Sequence, residues 1–280
     1  MVPDKGQSPP GRNGSGQPAI FLDRSVEFCQ KTIAELNLDS PTCGGWGIPV
    51  YKVVIAPLSA ILLSLASPGI AVEFINRIPF QSIIPPPPAR NSAIEQGEIA
   101  EILKVQAAAT PAAKALAKRD NDVEDATIFA SVIGPKWDLT KLPKTKFLVD
   151  RIMDVDRPDS GVTKHFFQRS RPWVVDPKVQ TCAPHEAGPA ENSYPSGHAM
   201  LGYELGVVLA SLMPDKAQAI LARASLYGEN RILCGFHYRS DVTAGEQYGT
   251  VLAVEMMQHP VFHGWFREAQ AELKAAGLAR

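Results

Sequence analysis

The residues Asn192-Ser193-Tyr194-Pro195-Ser196-Gly197-His198 are followed by an apolar run from Ala199 to Met213. Pro195 and Gly197 punctuate a turn, and Leu201, Leu205, Val208, Leu209 and Leu212 then recur at helical spacing. The stretch therefore reads as a turn feeding a helix. A helix start offers unpaired backbone N–H groups and the positive end of the helix dipole, which together suit an anion. Ser196 adds a hydroxyl, Gly197 lets the backbone approach closely, and His198 can move a proton. A serine that only caps the helix explains part of the same pattern. Two flanking clusters break that balance. Upstream, Lys164 stands seven positions before the pair Arg171-Pro172; downstream, Arg231 stands six before His237, and His237 four before Asp241.

This ordered triplet resembles the signature of the phosphatidic acid phosphatase type 2 superfamily: Lys-x6-Arg-Pro, then Pro-Ser-Gly-His, then Ser-Arg-x5-His-x3-Asp. Every defining position matches except one, where Asn230 stands in place of serine. The wording NSYPSGH and CGFHYRSD is most similar to the bacterial class A non-specific acid phosphatases. The resemblance takes in Ile84-Pro85-Pro86-Pro87-Pro88 and covers roughly residues 83 to 275. It implies a compact helical domain of the acid phosphatase and vanadium haloperoxidase type, acting on small phosphate monoesters. Ala199 follows the histidine where class A acid phosphatases usually carry threonine, and vanadium-dependent haloperoxidases, which share the anion site, often carry alanine. Haloperoxidase is thus the second reading. A periplasmic phosphate-binding protein without turnover is the third, though it has no use for His198 or for the pair His237 and Asp241.

Hydrolysis of a phosphate monoester needs a neutralised dianion, an in-line nucleophile and a proton for the leaving oxygen. Lys164, Arg171 and Arg231 supply three positive charges without a metal or other cofactor, the arginines as forked donors and the lysine as a point charge. Ser196 and the N–H of Gly197 add neutral donors. His237 is the nucleophile candidate, because Asp241 one helical turn on can hold its other ring nitrogen and support a phosphohistidine. His198 becomes the acid for the leaving group and the base for water. The resemblance implies the same roles. The ordinary readings are a surface ion pair for His237 and Asp241 and solvated loop charges for the lysine and arginines. No third or fourth ligand stands in register with His237 and Asp241 to make a metal site. His165, His185, His259 and His263 show no such constellation. Phe166, Phe167 and Trp173 are expected to pack in the core.

The elements that must carry these residues are helical. Ser92 and Glu95 form a capping box before a helix marked by Ile94, Ile99, Ile102, Leu103 and Val105. Thr110-Pro111 opens a second helix through Lys118. Helical periodicity returns over 124–134 and 142–155, and Lys164 to Gln168 reads as the end of a helix. Residues 173–192 form a long loop holding Cys182, a length that marks it as functional or stapled. Helices over 196–213, 215–233, from Ser240 onward and 261–278 complete the chain. No stretch alternates as a strand, so the fold is expected to be all-α, a single compact domain.

With 28 Lys and Arg against 29 Asp and Glu, the chain has no general attraction for nucleic acid or an anionic membrane, and any positive field is local. Lys52, the apolar run from Val53 to Ala66, and small residues at Gly69 and Ala71 give a secretory signal peptide over 50–71. Translation is then expected to begin at Val50, with 1–49 an extension and 72–280 the mature periplasmic catalytic domain. A cytosolic tail with a membrane anchor needs a longer apolar run, and the later helices are interrupted by Glu204 and Glu246. With Cys29 and Cys43 in the extension, Cys182 and Cys234 are expected to form one disulfide, at cysteine positions that the resemblance also implies. Association into a homo-oligomer is left open.

Overall fold

In the computed structural model, residues 79–184 and 190–280 are described. The expected extension, the signal peptide, Cys29, Cys43 and His185 lie outside them. Seven helices of more than two turns make up the domain: α1 (Ala93–Ala108), α2 (Pro111–Asp122), α3 (Pro143–Phe167), α4 (Gly197–Leu212), α5 (Ala217–Leu233), α6 (Arg239–Gln258) and α7 (Pro260–Ala275). Among the described residues there is no strand, so the domain is all-α. None of these helices is long and apolar enough to cross a membrane.

Helix α4 is the axis of the fold. Glu204 apart, it is apolar on every side, and it is buried from Ala199 to Leu212 except at Tyr203, Val207 and Ser211, as befits a helix covered all round by others. Helices α3, α5, α6 and α7 pack around it through Leu148, Ile152, Leu205, Val208, Leu209, Ile220, Ala224, Met256 and Phe262. Contact with α6 is intimate because two glycines face α4. A Cβ on Gly245 would lie 2.4 Å from the Ser196 carbonyl oxygen, and one on Gly249 would lie 2.3 Å from that of Met200. The close approach fixes the N-terminus of α4 against the N-terminus of α6, where the Ser196 N–H also donates to the Asp241 carbonyl (2.9 Å).

The three side-chain caps form: Ser92 Oγ accepts from the Glu95 N–H, Thr110 Oγ1 from that of Ala113, and Ser196 Oγ from that of Ala199. The expected capping box closes one residue early, because the Glu95 carboxylate accepts from the Asn91 N–H (2.7 Å) rather than from that of Ser92. Several boundaries differ. Helix α2 runs on to Asp122, and residues 124–134 form two short turns, Ala126–Phe129 and Ala130–Ile133, rather than one helix. A turn at Pro214–Lys216 precedes α5, and Pro172 opens a turn, Pro172–Val175, inside the expected loop. The last helix spans Pro260–Ala275. The largest difference is α3, one helix of 25 residues where the sequence reads as two pieces. Pro158 and Gly161 are weak helix formers. Burial of Val155, Asp156 and Thr163 against the core holds the helix through them. It stops at Gln168, which takes a left-handed conformation (φ 48°) with its N–H on the Lys164 carbonyl.

The polyproline segment is pinned to the domain: Ile84 is buried beside Tyr194, Met200 and Tyr248, and the Tyr194 hydroxyl donates to the Pro85 carbonyl. Phe167 packs edge-on against Tyr194, and Trp173 against Phe236. Phe166 departs from expectation. It is 58% exposed and stacks edge-on against the rings of Phe80 and Phe167 at the surface of the domain.

Cys182 and Cys234 are disulfide-bonded across a separation of 52 residues. The bond ties the loop before Ser196 to the end of α5, three residues past Arg231. In the chain-entropy description a closure of this length stabilises the fold by about 4 kcal/mol.

Candidate active site

The expected residues converge where the N-termini of α4 and α6 meet the C-terminal ends of α3 and α5. Lys164 occupies the last turn of α3, Arg171 the entry to the Pro172 turn, and Arg231 the last turn of α5. Ser196, Gly197 and His198 open α4, while His237 and Asp241 flank the start of α6. A pocket of about 280 Å³ opens here, lined by Glu124, Asp156, Lys164, Gly197 and His198 among others. Gly197 is required by space: a Cβ there would lie 2.8 Å from Ser160 Oγ and 3.3 Å from Lys164 Nζ. Ser196 is fully buried, and its Oγ accepts the Ala199 N–H, so the serine is a helix cap whose own O–H remains able to donate.

His237 is 1% exposed. Nδ1 lies 3.3 Å from Asp241 Oδ2 and 3.4 Å from Arg171 Nη1, and Nε2 lies closer to the same Nη1, at 2.8 Å. A guanidinium only donates, so Nε2 carries the lone pair and Nδ1–H points at the carboxylate. Burial, then Arg171, Arg231 and Lys164, hold the imidazole well below its ordinary value. The ring therefore stays neutral and nucleophilic into acid.

Asp241 is held more firmly than the sequence reveals. Arg169 Nη1 donates to its Oδ1 at 2.6 Å, and Ser193 Oγ and the Tyr238 N–H donate to its Oδ2 at 2.6 and 3.0 Å. Arg169 also donates to Glu98 (2.8 Å) and lies 3.7 Å over the Tyr238 ring. Arg169, Glu98 and Ser193 were not among the expected site residues. Arg169 lies two positions before Arg171, and Ser193 three before Ser196, so proximity to the motifs was the available signal.

The cations are costly to hold together. Burial and Arg171 lower Lys164 to about 8, burial and Arg231 lower Arg171 to about 10, and burial lowers Arg231 to about 10. A dianion placed among them would relieve all three at once, which is what the arrangement offers an anion. Arg171 is further fixed by the Phe236 carbonyl (2.7 Å) and Asn192 Oδ1 (3.0 Å), and Arg231 by Asn121 Oδ1 (2.7 Å). Asn230 does not touch the Arg231 head. Its amide donates to Asp120 Oδ2 (2.7 Å), whose other oxygen pairs with Arg223 (2.6 Å). Ala199 points away from the pocket into the cluster of Ile99, Ile102, Ile232 and Val242.

Below the pocket lie further carboxyls. Glu204 on α4 is fully buried, with no partner for either oxygen, and Asp156 on α3 lines the pocket floor. Burial pushes Glu204 well above its ordinary range, helped by Asp156 and Asp159, and pushes Asp156 up to about 8. A carboxyl raised by folding contributes stability that is complete below its unfolded value, about 4.3, and is lost as pH rises through the folded value. Glu204→Gln removes that loss. Its melting temperature relative to the parent is expected to rise between pH 5 and pH 8 by about 3 °C or more, the equivalent of about 1 kcal/mol. Thermal melts at the two pH values check this; an offset independent of pH would show that Glu204 ionises normally.

With this geometry in view, comparison with known proteins decides the family. The PAP2 superfamily profile matches residues 153–265. An acid phosphatase of Zymomonas mobilis is 30% identical over 211 residues, covering 71% of this chain and 80% of that protein. The chain belongs to the PAP2 superfamily. Non-specific acid phosphatases of Salmonella typhimurium and Providencia stuartii are 30% and 26% identical, over 69% and 68% of this chain and 79% of each of theirs. Among solved structures, a transmembrane PAP2 type phosphatidylglycerolphosphate phosphatase from Bacillus subtilis is similar at 17% identity. Its TM-score is 0.44 over 64% of this chain and 88% of that one.

Proposed function

We propose that this member of the PAP2 superfamily is an exported acid phosphatase that hydrolyses small phosphate monoesters through a phosphohistidine, without a metal ion. Membership and the acid phosphatases it is similar to support the hydrolase class. One observation carries the mechanism. The Nε2 lone pair of His237 sits against Arg171 while Nδ1 is anchored on a carboxylate held by three other donors.

In the first step Nε2 attacks phosphorus, and the bond from phosphorus to the leaving oxygen breaks. His198 passes its proton to that oxygen. The positive charge on the phosphorylated ring is supported by Asp241. Lys164, Arg171 and Arg231 hold the three non-bridging oxygens, whose charge they stabilise in the transition state. In the second step His198 takes a proton from water, the hydroxyl attacks phosphorus, and the N–P bond breaks to return neutral His237 and inorganic phosphate. In this reading Lys164, Arg171 and Arg231 supply the positive charge that the phosphoryl group meets.

Export is supported by the signal-like run over 50–71 and by the disulfide, a bond that persists in an oxidising compartment. Ala199, the residue that resembles haloperoxidases, lies in the core and does not shape the pocket, so it lends that reading no support. Expression of the full chain in a bacterial host tests the proposal. The periplasmic protein is expected to start near Val72 and to hydrolyse p-nitrophenyl phosphate equally well with and without a chelator. Activity lost on chelation and restored by a divalent ion would overturn the metal-free mechanism, and a chain retaining residues 1–49 would overturn the export claim.

A further inference from the structure

His198 presents a problem that the site as described leaves open. Its role as acid requires a charged ring, yet it is buried among cations. Burial first, then Arg231 on α5 and Lys164 on α3, hold it well below its ordinary value, and the neutral His237 ring faces it from the start of α6. Asp156 and Arg157 line the same pocket, and Tyr227 stacks on the ring at 5.3 Å.

The segment between α2 and the Ala126 turn supplies what is missing. His198 Nε2 lies 3.4 Å from the Asn121 carbonyl oxygen, and Nδ1 lies 3.3 Å from Glu124 Oε1. A carbonyl accepts only, so Nε2 bears hydrogen. Nδ1 and the Glu124 carboxylate are then both acceptors unless a proton lies between them. Catalytic hydrogen bonds are often this long before substrate arrives. The histidine side chain is 12% exposed and the glutamate 59%, so the pair spans from the pocket wall to solvent. Glu124 itself lines the same pocket as His198, Gly197 and Lys164.

We propose that Glu124 is a positioning residue of the reaction, holding the His198 ring and the Nδ1 proton that is handed to the leaving oxygen. The inference rests on the reading of His198 as the acid. His198 and Glu124 then form a second imidazole–carboxylate pair beside that of His237 and Asp241. The two pairs differ in burial and in purpose: the sealed one fixes the tautomer of a nucleophile, and the open one holds the ring and the Nδ1 proton of an acid. In the first step the Nδ1 proton moves to the alkoxide and leaves a neutral ring beside the carboxylate. The proton taken from water in the second step restores the pair.

Glu124→Gln keeps the shape and removes the charge. The basic limb of its kcat profile, which reports the acid, is expected to move down by about half to one pH unit, a carboxylate shift discounted for exposure. At neutral pH kcat for alkyl phosphates is expected to fall about tenfold, and kcat for p-nitrophenyl phosphate by less than about threefold, since a nitrophenolate needs little protonation. KM is expected to hold or fall for both, because a negative charge at the pocket mouth is gone. Glu124→Asp should return part of the limb. A Glu124→Gln enzyme with the parent's basic limb and leaving-group dependence would overturn the proposal, leaving Glu124 a rim charge. His198→Ala run on the same substrates separates the two failures. If that variant alone loses the alkyl substrates, only the role of Glu124 falls; if it too keeps the parent's dependence, His198 is not the acid and both readings fall.

Discussion

His237→Ala is expected to lower kcat for phosphate monoesters by at least about four powers of ten, the scale on which a nucleophile within a cooperating set is lost. The variant should fold. Asp241 keeps Arg169, Ser193 and the Tyr238 N–H, all closer to it than His237, so no buried carboxylate is stranded. Lys164, Arg171, Arg231 and the start of α4 also remain, so inorganic phosphate should still bind. Steady-state kinetics together with calorimetric titration of phosphate test both halves. Retained binding with lost turnover fits a missing nucleophile. A variant that still turns over at a tenth of the parent's rate would mean that another group, or water itself, attacks phosphorus.

His198→Ala is expected to act by leaving group. An alkoxide departs with difficulty unless protonated, so alkyl phosphates should lose about two to four powers of ten in kcat. A nitrophenolate departs unaided, and for p-nitrophenyl phosphate the first step should be nearly spared. The second step should slow for every substrate, because the same ring activates water. The phosphoenzyme is then made faster than it is broken down, and a burst of one nitrophenol per site should precede a slow steady state. A plot of log kcat/KM against leaving-group pKa should steepen in the variant. An equal loss for every leaving group would remove His198 from the role of acid.

Chemistry was more legible than architecture in this sequence, and the reason is physical. Ser196 announced the start of α4 because a cap, a glycine and apolar periodicity are local features. The spacing from His237 to Asp241 predicted their contact, which forms across the N-cap of α6 with His237 just ahead of the helix. Lys164 and Arg171 were found by the order of motifs. What stayed hidden depends on contacts between distant segments. Arg169 looks like any loop arginine until Glu98, 71 residues away, and Asp241, 72 away, close on it. Glu124 meets His198 only when the segment after α2 is brought to the start of α4. The two pieces of α3 are joined because core packing outweighs the local cost of Pro158 and Gly161, a balance that propensity alone misjudges. Asn230 adjoins Arg231 in sequence, but its side chain projects to Asp120, 110 residues away, which the motif does not reveal.

The central claim is a covalent bond between phosphorus and His237, and trapping tests it most directly. His198→Ala protein is mixed with a phosphate-labelled aryl ester in the presence of chelator, quenched within milliseconds in denaturant at alkaline pH, and digested. The expected result is close to one phosphate per chain, stable to base and labile to acid, on the peptide containing His237 and absent from a His237→Ala control. Label on the His198 peptide of the His237→Ala variant, or no label in either protein during turnover, would contradict it.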